Sequence, residues 1–151
     1  MERARWRFTA NYRLLDRLQV GVEFNAVVEE INPLVTLFIL TETEKRPSIF
    51  LGTSSDRIGS PKGATAYYAT VTKGVQKTGT SAYFSRNYSE WDEELNLPFG
   101  ISQDFTRGFA GRYMYDGVQS HALLDYYFEK VGVSFMYVWL EQFGVALHGG
   151  F

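Results

Sequence analysis

Cysteine is absent from this chain of 151 residues. Its absence excludes disulfide bonds, thiolate metal ligands and cysteine nucleophiles, and it suits an envelope protein without disulfides as well as a cytosolic one. A strong charge of one sign is also absent, because 15 basic and 17 acidic residues give a net charge of −2. No basic field is available to attract nucleic acid, so we expect no nucleic-acid partner.

Long apolar runs are missing too, and none reaches the roughly 18–20 residues of a spanning helix. The N-terminus, Met1 to Arg5, lacks the apolar segment of a signal peptide. We therefore expect either a protein that stays inside the cell or a sequence that begins after a cleavage site. The length predicts one domain over residues 1–151.

Aromatic residues, in contrast, make up 17% of the chain, and 14 glycines are spread through it. Both suit pleated strands with close approaches and bends. Apolar and polar side chains alternate with a period of two from Ala4 to Leu14, and again from Leu18 to Val28 after a short link at Asp16-Arg17. Two long alternating segments joined by so short a link predict a β-hairpin.

Nine further strands are predicted, which makes eleven in all. Asn32-Pro33 is expected to interrupt the strand pattern between the second strand and the third. Ser120–Lys130 also fits an amphipathic helix, although the alternation of Ala122 and Leu124 with His121 and Asp125 favours a strand. The predicted further strands cover residues 34–42, 48–54, 64–74, 80–88, 97–105, 109–115, 121–129, 131–139 and 143–151.

Strand length and the placement of charged residues indicate whether the apolar face of the strands meets lipid or packs inside a soluble barrel. Several patterns persist for about 9–11 residues, the length of a tilted membrane-spanning strand. The lysines fall in turns or towards strand ends, at Lys45, Lys62, Lys73, Lys77 and Lys130. Arginines and carboxylates occupy the strand middles instead, which suits a confined network because the guanidinium fork pairs with carboxylates.

The fold predicted from these patterns is all-β: an antiparallel up-and-down β-barrel of about 10–12 strands, of the transmembrane type. The predicted polar network of the lumen comprises Arg5, Arg7, Arg13, Glu23, Arg112 and Asp125. The predicted lipid-facing residues are Trp6, Phe8, Val20, Val22, Phe24, Phe135, Tyr137 and Trp139; of these, Trp6, Tyr137 and Trp139, with Tyr12, would form aromatic girdles near strand ends.

The chain resembles bacterial outer-membrane β-barrel proteins, most sharply in its last strand, Phe143–Phe151, which ends on an aromatic residue. The resemblance implies that Phe151 is an assembly signal read by the outer-membrane assembly machinery. It also implies a lipid bilayer as partner and a bacterial outer-membrane location. Single-chain barrels of this class have even strand numbers. The count of eleven therefore implies ten or twelve strands, or one strand upstream of Met1.

His121 and Asp125 are the weak catalytic candidates. His121 and Asp125 share a strand face, with Glu129 placed beside them, and a base oriented by a carboxylate is half of a hydrolytic apparatus. Outer-membrane lipid hydrolases carry a His-x-Ser pattern, which is absent here because Ala122 and Leu123 follow His121. A polar network in the lumen is the favoured interpretation, and His148 is read in the same way.

Other polar clusters support no cofactor or metal. The acidic loop Glu90–Glu94 has cation-binding oxygens but not the spacing of a calcium loop. The loop Ser54–Gly63 lacks a phosphate-binding pattern and a following helix. The arginine cluster at Arg5, Arg7 and Arg13 could hold an anion, but pairing with Glu23 explains it more simply.

Three functions are compatible with these patterns. The leading one is an outer-membrane barrel with a polar, mostly plugged lumen and a structural, adhesive or narrow-pore role. The second is a soluble carrier of apolar ligands, like a lipocalin or fatty-acid-binding protein. The third is an envelope lipid hydrolase that uses His121. Oligomeric state is not predicted by any of these patterns.

Overall fold

The computed structural model describes residues 7–26, 29–56 and 60–150. Within them the chain is all-β, and one 3-10 turn at Thr106–Gly108 is its helical element. None of the described residues forms a helix of the length and apolarity needed to cross a membrane. The twelve strands are β1 (Arg7–Leu15), β2 (Leu18–Asn25), β3 (Glu30–Leu40), β4 (Ser48–Ser55), β5 (Thr65–Val75), β6 (Thr80–Ser89), β7 (Leu95–Asn96), β8 (Phe99–Asp104), β9 (Phe109–Tyr115), β10 (Ser120–Phe128), β11 (Val131–Val138) and β12 (Gln142–Gly149).

All twelve strands belong to one sheet in which, apart from β7, each strand pairs with the next along the chain. The path runs from β1 to β12 in chain order, and the two-residue β7 lies beside it, paired with β6. The described registers are antiparallel, as predicted. Among the described residues no pairing joins β1 to β12, so the sheet is open.

The chain divides into two compact units. The first unit comprises residues 1–71 and 85–97, and the second comprises residues 72–84 and 98–151. Since β5 and β6 pass from one unit to the other, each unit contains part of both strands.

Eleven of the strands occupy the positions that alternation predicts, within a few residues at each end. The tight link at Asp16-Arg17 joins β1 and β2 as expected. Ser120–Phe128 forms a strand, so the helical alternative for this segment is wrong. The twelfth strand, β7, was not predicted, because two residues are too few to show alternation.

The predicted break at Asn32-Pro33 is wrong, because β3 runs through both residues and Pro33 pairs with Val22. The Val35 amide donates to the Thr53 Oγ1 in β4, at 3.2 Å. Residues two apart on a strand direct their nitrogens to the same edge. The Pro33 nitrogen therefore faces the β4 edge, where the described register begins only at Val35. Pro33 therefore lies outside the paired part of β3 and β4, so its lack of an N–H removes no hydrogen bond between these two strands.

Two residues assigned to strand faces lie in turns instead. β11 ends at Val138, and Trp139 adopts a positive φ of 58° in the turn that follows. Glu129 likewise has a φ of 51° and is exposed in the turn after β10. Because a turn interrupts the two-residue period, neither residue keeps the face that alternation assigns to it.

The two faces of the sheet are chemically opposite in each unit. One face carries the buried polar side chains and is called the polar face; in the first unit it includes Glu23, Asn25, Ser48, Thr70, Ser85 and Ser89, and in the second His121, Asp125 and Ser134. The other, the apolar face, carries exposed side chains such as Phe8, Val22, Leu51, Leu124 and Phe135. The buried hydrophobic residues described are alanines, Ala64, Ala66 and Ala110.

Gly52 provides a test of packing on the polar face. Its lack of a side chain lets the Tyr68 ring cross β4, so that the Tyr68 hydroxyl reaches the Thr36 hydroxyl at 2.8 Å. A Cβ on Gly52 would overlap both the Tyr68 Oη and the Val35 carbonyl oxygen. We expect Gly52→Ala to lower the free energy of unfolding by about 1–3 kcal/mol, because the backbone oxygen must shift.

Urea unfolding followed by tryptophan fluorescence measures this change. Gly150→Ala is the matched control, since nothing lies within 4 Å of a Cβ at that position. Equal unfolding midpoints for both variants would contradict the described packing.

Candidate functional site: polar networks on one face of the sheet

The first network joins three strands of the first unit around Arg7. The Arg7 Nε lies 3.0 Å from the Glu23 Oε2, and the Arg7 Nη2 donates to the Ser55 Oγ at 2.5 Å. Arg7 is on β1, Glu23 on β2 and Ser55 on β4. Adjacent strands lie about 4.8 Å apart, so a side chain on β1 reaches β4 only if the polar face is concave in this unit. The predicted pairing of Arg7 with Glu23 is confirmed.

A second group of buried polar residues surrounds the loop after β4. The Gly63 amide donates to the Glu30 Oε1 at 2.6 Å, and the Ser89 hydroxyl donates to the Asp56 Oδ2 at 2.5 Å. Both carboxylates are buried. They were not among the sequence candidates, although Glu30 and Ser89 lie on the polar face of their strands.

Glu90, from the acidic loop, binds strand β5 rather than a separate ligand. Its carboxylate accepts hydrogen bonds from the Tyr67 hydroxyl at 2.9 Å and from the Thr65 amide at 3.2 Å. The two ends of the loop after β4 are joined by the Asp56 amide, which donates to the Ala64 carbonyl at 3.1 Å. Among the residues that the structure describes, no group of three histidine or carboxylate side chains is arranged to hold a metal ion.

Arg13 does not join the Arg7–Glu23 pair. Its guanidinium lies 4.5 Å from the centre of the Phe38 ring, and its Nη2 donates to the Asp16 carbonyl at 3.1 Å. Phe38 continues into an aromatic group with Phe50 and Tyr68, with ring centres 5.6 and 6.1 Å apart. The suggested pairing with Glu23 therefore applies to Arg7 and not to Arg13, because the end of β1 brings Arg13 to an aromatic ring, where it forms a cation–π contact.

The second unit contains a row of polar side chains across β9, β10, β11 and β12. The Arg112 Nε and Nη2 donate to the Asp125 Oδ2 and Oδ1 at 2.5 and 2.7 Å, in a two-pronged pair. The Ser134 hydroxyl donates to the same carboxylate, and the His148 Nε2 lies 3.2 Å from the Ser134 Oγ. Asp125 is fully buried. The predicted membership of Arg112 and Asp125 in one network is confirmed.

This row contains serine, histidine and aspartate but lacks the order of a hydrolytic triad. In a triad the carboxylate orients the histidine, and the histidine removes the serine proton. Here the Ser134 hydroxyl donates directly to Asp125, and the carboxylate is already held by Arg112. Ser134 is also buried, at 2% exposure. The arrangement orders side chains and does not activate a nucleophile.

His121 uses both ring nitrogens for structure. Its Nε2 lies 2.9 Å from the Asp116 Oδ2, and its Nδ1 is 3.4 Å from the Trp139 amide nitrogen, which donates to it. These contacts place the ring proton on Nε2 and occupy the lone pair of Nδ1. The carboxylate that orients His121 is therefore Asp116, in the preceding turn, and not Asp125 as the four-residue spacing suggested.

The predicted lipid-facing residues lie as follows. Phe8, Val22, Phe24, Phe135 and Tyr137 are exposed on the apolar face, and Val20 is partly exposed on the same face. Trp6, Arg5 and Phe151 lie outside the described residues.

Comparison with known proteins adds no assignment. No protein-family model matches the chain, and neither the curated proteins nor the solved structures contain a match.

Asp125 gives the sharpest test of the second network. Asp125→Asn would leave the Arg112 guanidinium without its ionised partner. We expect the free energy of unfolding to fall by about 2–3 kcal/mol, which is less than the roughly 3–5 kcal/mol of breaking a fully buried ion pair because Arg112 is partly exposed. Urea titration measures the change.

Glu44→Gln, in the exposed segment between β3 and β4, is the charge-matched control and should change stability by less than about 0.5 kcal/mol. The double variant Arg112→Gln/Asp125→Asn should cost less than the sum of its two single variants, since the partners are in contact. Additive single effects would contradict the pair.

Proposed function

We propose that this protein is a transmembrane β-barrel of the bacterial outer-membrane type, with a polar and mostly plugged lumen. Its role would be structural or adhesive, or that of a narrow pore. The observation that carries the proposal is the inversion of the two faces in each unit: polar side chains are buried and large apolar side chains are exposed.

Water is an unfavourable solvent for such a surface. The apolar faces of both units carry exposed phenylalanine, leucine, valine and isoleucine along successive strands. Exposed apolar area in contact with water costs about 25 cal/mol per Å² relative to its burial. Soluble monomers therefore avoid contiguous apolar patches of this kind. Acyl chains remove the cost, since they are as apolar as the side chains themselves.

A closed sheet is part of the proposal. Hydrocarbon offers no partner for backbone N–H and C=O groups, so an open edge is not tolerated there. In the bilayer, β1 and β12 would pair with each other or with a further strand. The path holds eleven strands of alternating direction, so β1 and β12 run the same way. Antiparallel closure would therefore use one further strand between them, and direct closure would use a parallel pairing.

The polar face would fill the lumen and leave little space for water. In the first unit the Arg7 side chain spans from β1 to Ser55 on β4. In the second unit the Arg112, Asp125, Ser134 and His148 side chains lie in one row. Small barrels are filled by their interior side chains. A plugged interior favours a structural or adhesive role over free diffusion of solutes.

The outer-membrane location and the assembly machinery as partner belong to the same proposal. They rest on the resemblance of the aromatic last strand, whose final residue, Phe151, would be the assembly signal. A soluble carrier, the second hypothesis, would bury Phe8, Val22 and Phe135 around its ligand, but these side chains are 57%, 42% and 56% exposed. A hydrolase would need a free nitrogen on His121, and both of its ring nitrogens are engaged.

Refolding into lipid vesicles tests the proposed function. We expect the chain to insert, to float with the vesicles after a carbonate wash, and to migrate faster on a gel when it is not heated. A protein that stays monodisperse in plain buffer, and is released from vesicles by carbonate, would contradict the proposal.

Phe135→Lys separates a lipid-facing position from a water-facing one. Phe135 lies in the middle of β11 on the apolar face. In a bilayer the lysine would cost about 2–4 kcal/mol of folding free energy, whereas in water it would be nearly neutral. Urea titration of the vesicle-bound protein measures the difference.

Leu140→Lys is the matched control, because Leu140 is 44% exposed but lies in a turn. Near an interface the same substitution should cost no more than about 1 kcal/mol. Equal and small effects at both positions would place the apolar face in water.

A further inference from the structure

Arg86 is a charged residue on the apolar face of β6. The exposed neighbours Phe84 and Tyr88 precede and follow it on the same face. The buried neighbours Ser85 and Ser89 point to the opposite one. Arg86 is exposed and forms no hydrogen bond, ion pair or ring contact with any described residue. An arginine without a protein partner on such a face requires another counter-charge, since an unpaired charge at membrane depth is costly.

A shallow groove of about 500 Å³ surrounds this arginine in the first unit. Its walls are almost wholly apolar and include Val35, Leu37, Leu51, Tyr67 and Tyr88. Ala69 also lines the groove, where its small side chain leaves space beside Arg86. The volume lies in the range of sites that take small ligands, roughly 300–1,000 Å³.

The groove lies towards one end of the strands. Arg86 is three residues before the end of β6 at Ser89, which corresponds to about 10 Å along the strand. Tyr67 lines the groove, and its hydroxyl is bonded to Glu90, the first residue beyond that strand end. An amphipathic ring with its hydroxyl at the strand end is typical of the membrane–water interface. Arg86 therefore lies within side-chain reach of the headgroup level.

We propose that this groove binds one anionic phospholipid, whose acyl chain lies along the apolar walls and whose phosphate pairs with the Arg86 guanidinium. The inference rests on the proposed membrane location. Charge complementarity carries it: the groove offers an unpaired cation beside an apolar channel, and an anionic phospholipid has both matching parts. The guanidinium fork suits two phosphate oxygens at once.

Native mass spectrometry of the full chain tests the proposal. The protein is released from detergent micelles that contain equal amounts of phosphatidylglycerol and phosphatidylcholine with the same acyl chains. We expect it to retain one phosphatidylglycerol molecule with about a tenfold preference, because both lipids carry a phosphate but the choline cation of phosphatidylcholine offsets its charge. Arg86→Gln should abolish the preference, and Arg86→Lys should keep part of it.

Two further variants separate the charge from the groove. Ala69→Leu fills the groove and should reduce the retention of both lipids. Lys77→Gln removes one charge from the turn between β5 and β6 and should leave the preference unchanged. Equal retention of the two lipids by the unmodified chain, or an undiminished preference in Arg86→Gln, would overturn the proposal.

Failure of the lipid site can be distinguished from failure of the proposed function. A chain that inserts into vesicles but retains both lipids equally refutes only the lipid site. A chain that does not insert refutes the membrane location and the lipid site together.

Discussion

Pairing of buried charge on the polar face is the constraint on which this structure depends. Asp125 is completely buried, and its carboxylate is held by two guanidinium nitrogens and one hydroxyl. Glu23 is almost as buried and is paired with Arg7. Removing one partner of such a pair leaves an uncompensated charge in a poorly solvated place, which is far more costly than the pair itself is favourable. The sheet must therefore keep these side chains on the same face.

Register follows from that requirement. Successive residues of a strand point to opposite faces, so a slip of one residue would move Asp125 to the apolar face and Leu124 to the polar one. The row across β9 to β12 opposes such a slip in the second unit, because each of its side chains comes from a different strand. Gly132 contributes by its lack of a side chain, since the His148 ring lies directly over it on the way to Ser134. The polar contacts thus specify alignment as well as stability.

Alternation in the sequence was enough to predict eleven strands, the first hairpin and the Arg7–Glu23 pair, because each depends on a local period or on adjacent strands. Other features depend on geometry that a pattern does not contain. Pro33 is accepted in β3 because its nitrogen faces the end of a ladder. His121 pairs with Asp116 because the turn before β10 folds back towards it. Arg13 finds Phe38 on β3, two strands away, and no period in the sequence indicates that contact.

The central claim is that the apolar face meets hydrocarbon and the polar face does not. Single spin labels on β11 test it directly, and the natural absence of cysteine lets one engineered thiol be labelled alone. With the protein in vesicles, labels at Val133 and Phe135 should collide often with dissolved oxygen and rarely with a water-soluble nickel chelate. Labels at Ser134 and Met136 should show low access to oxygen. Loss of this two-residue alternation, or its reversal, would contradict the account.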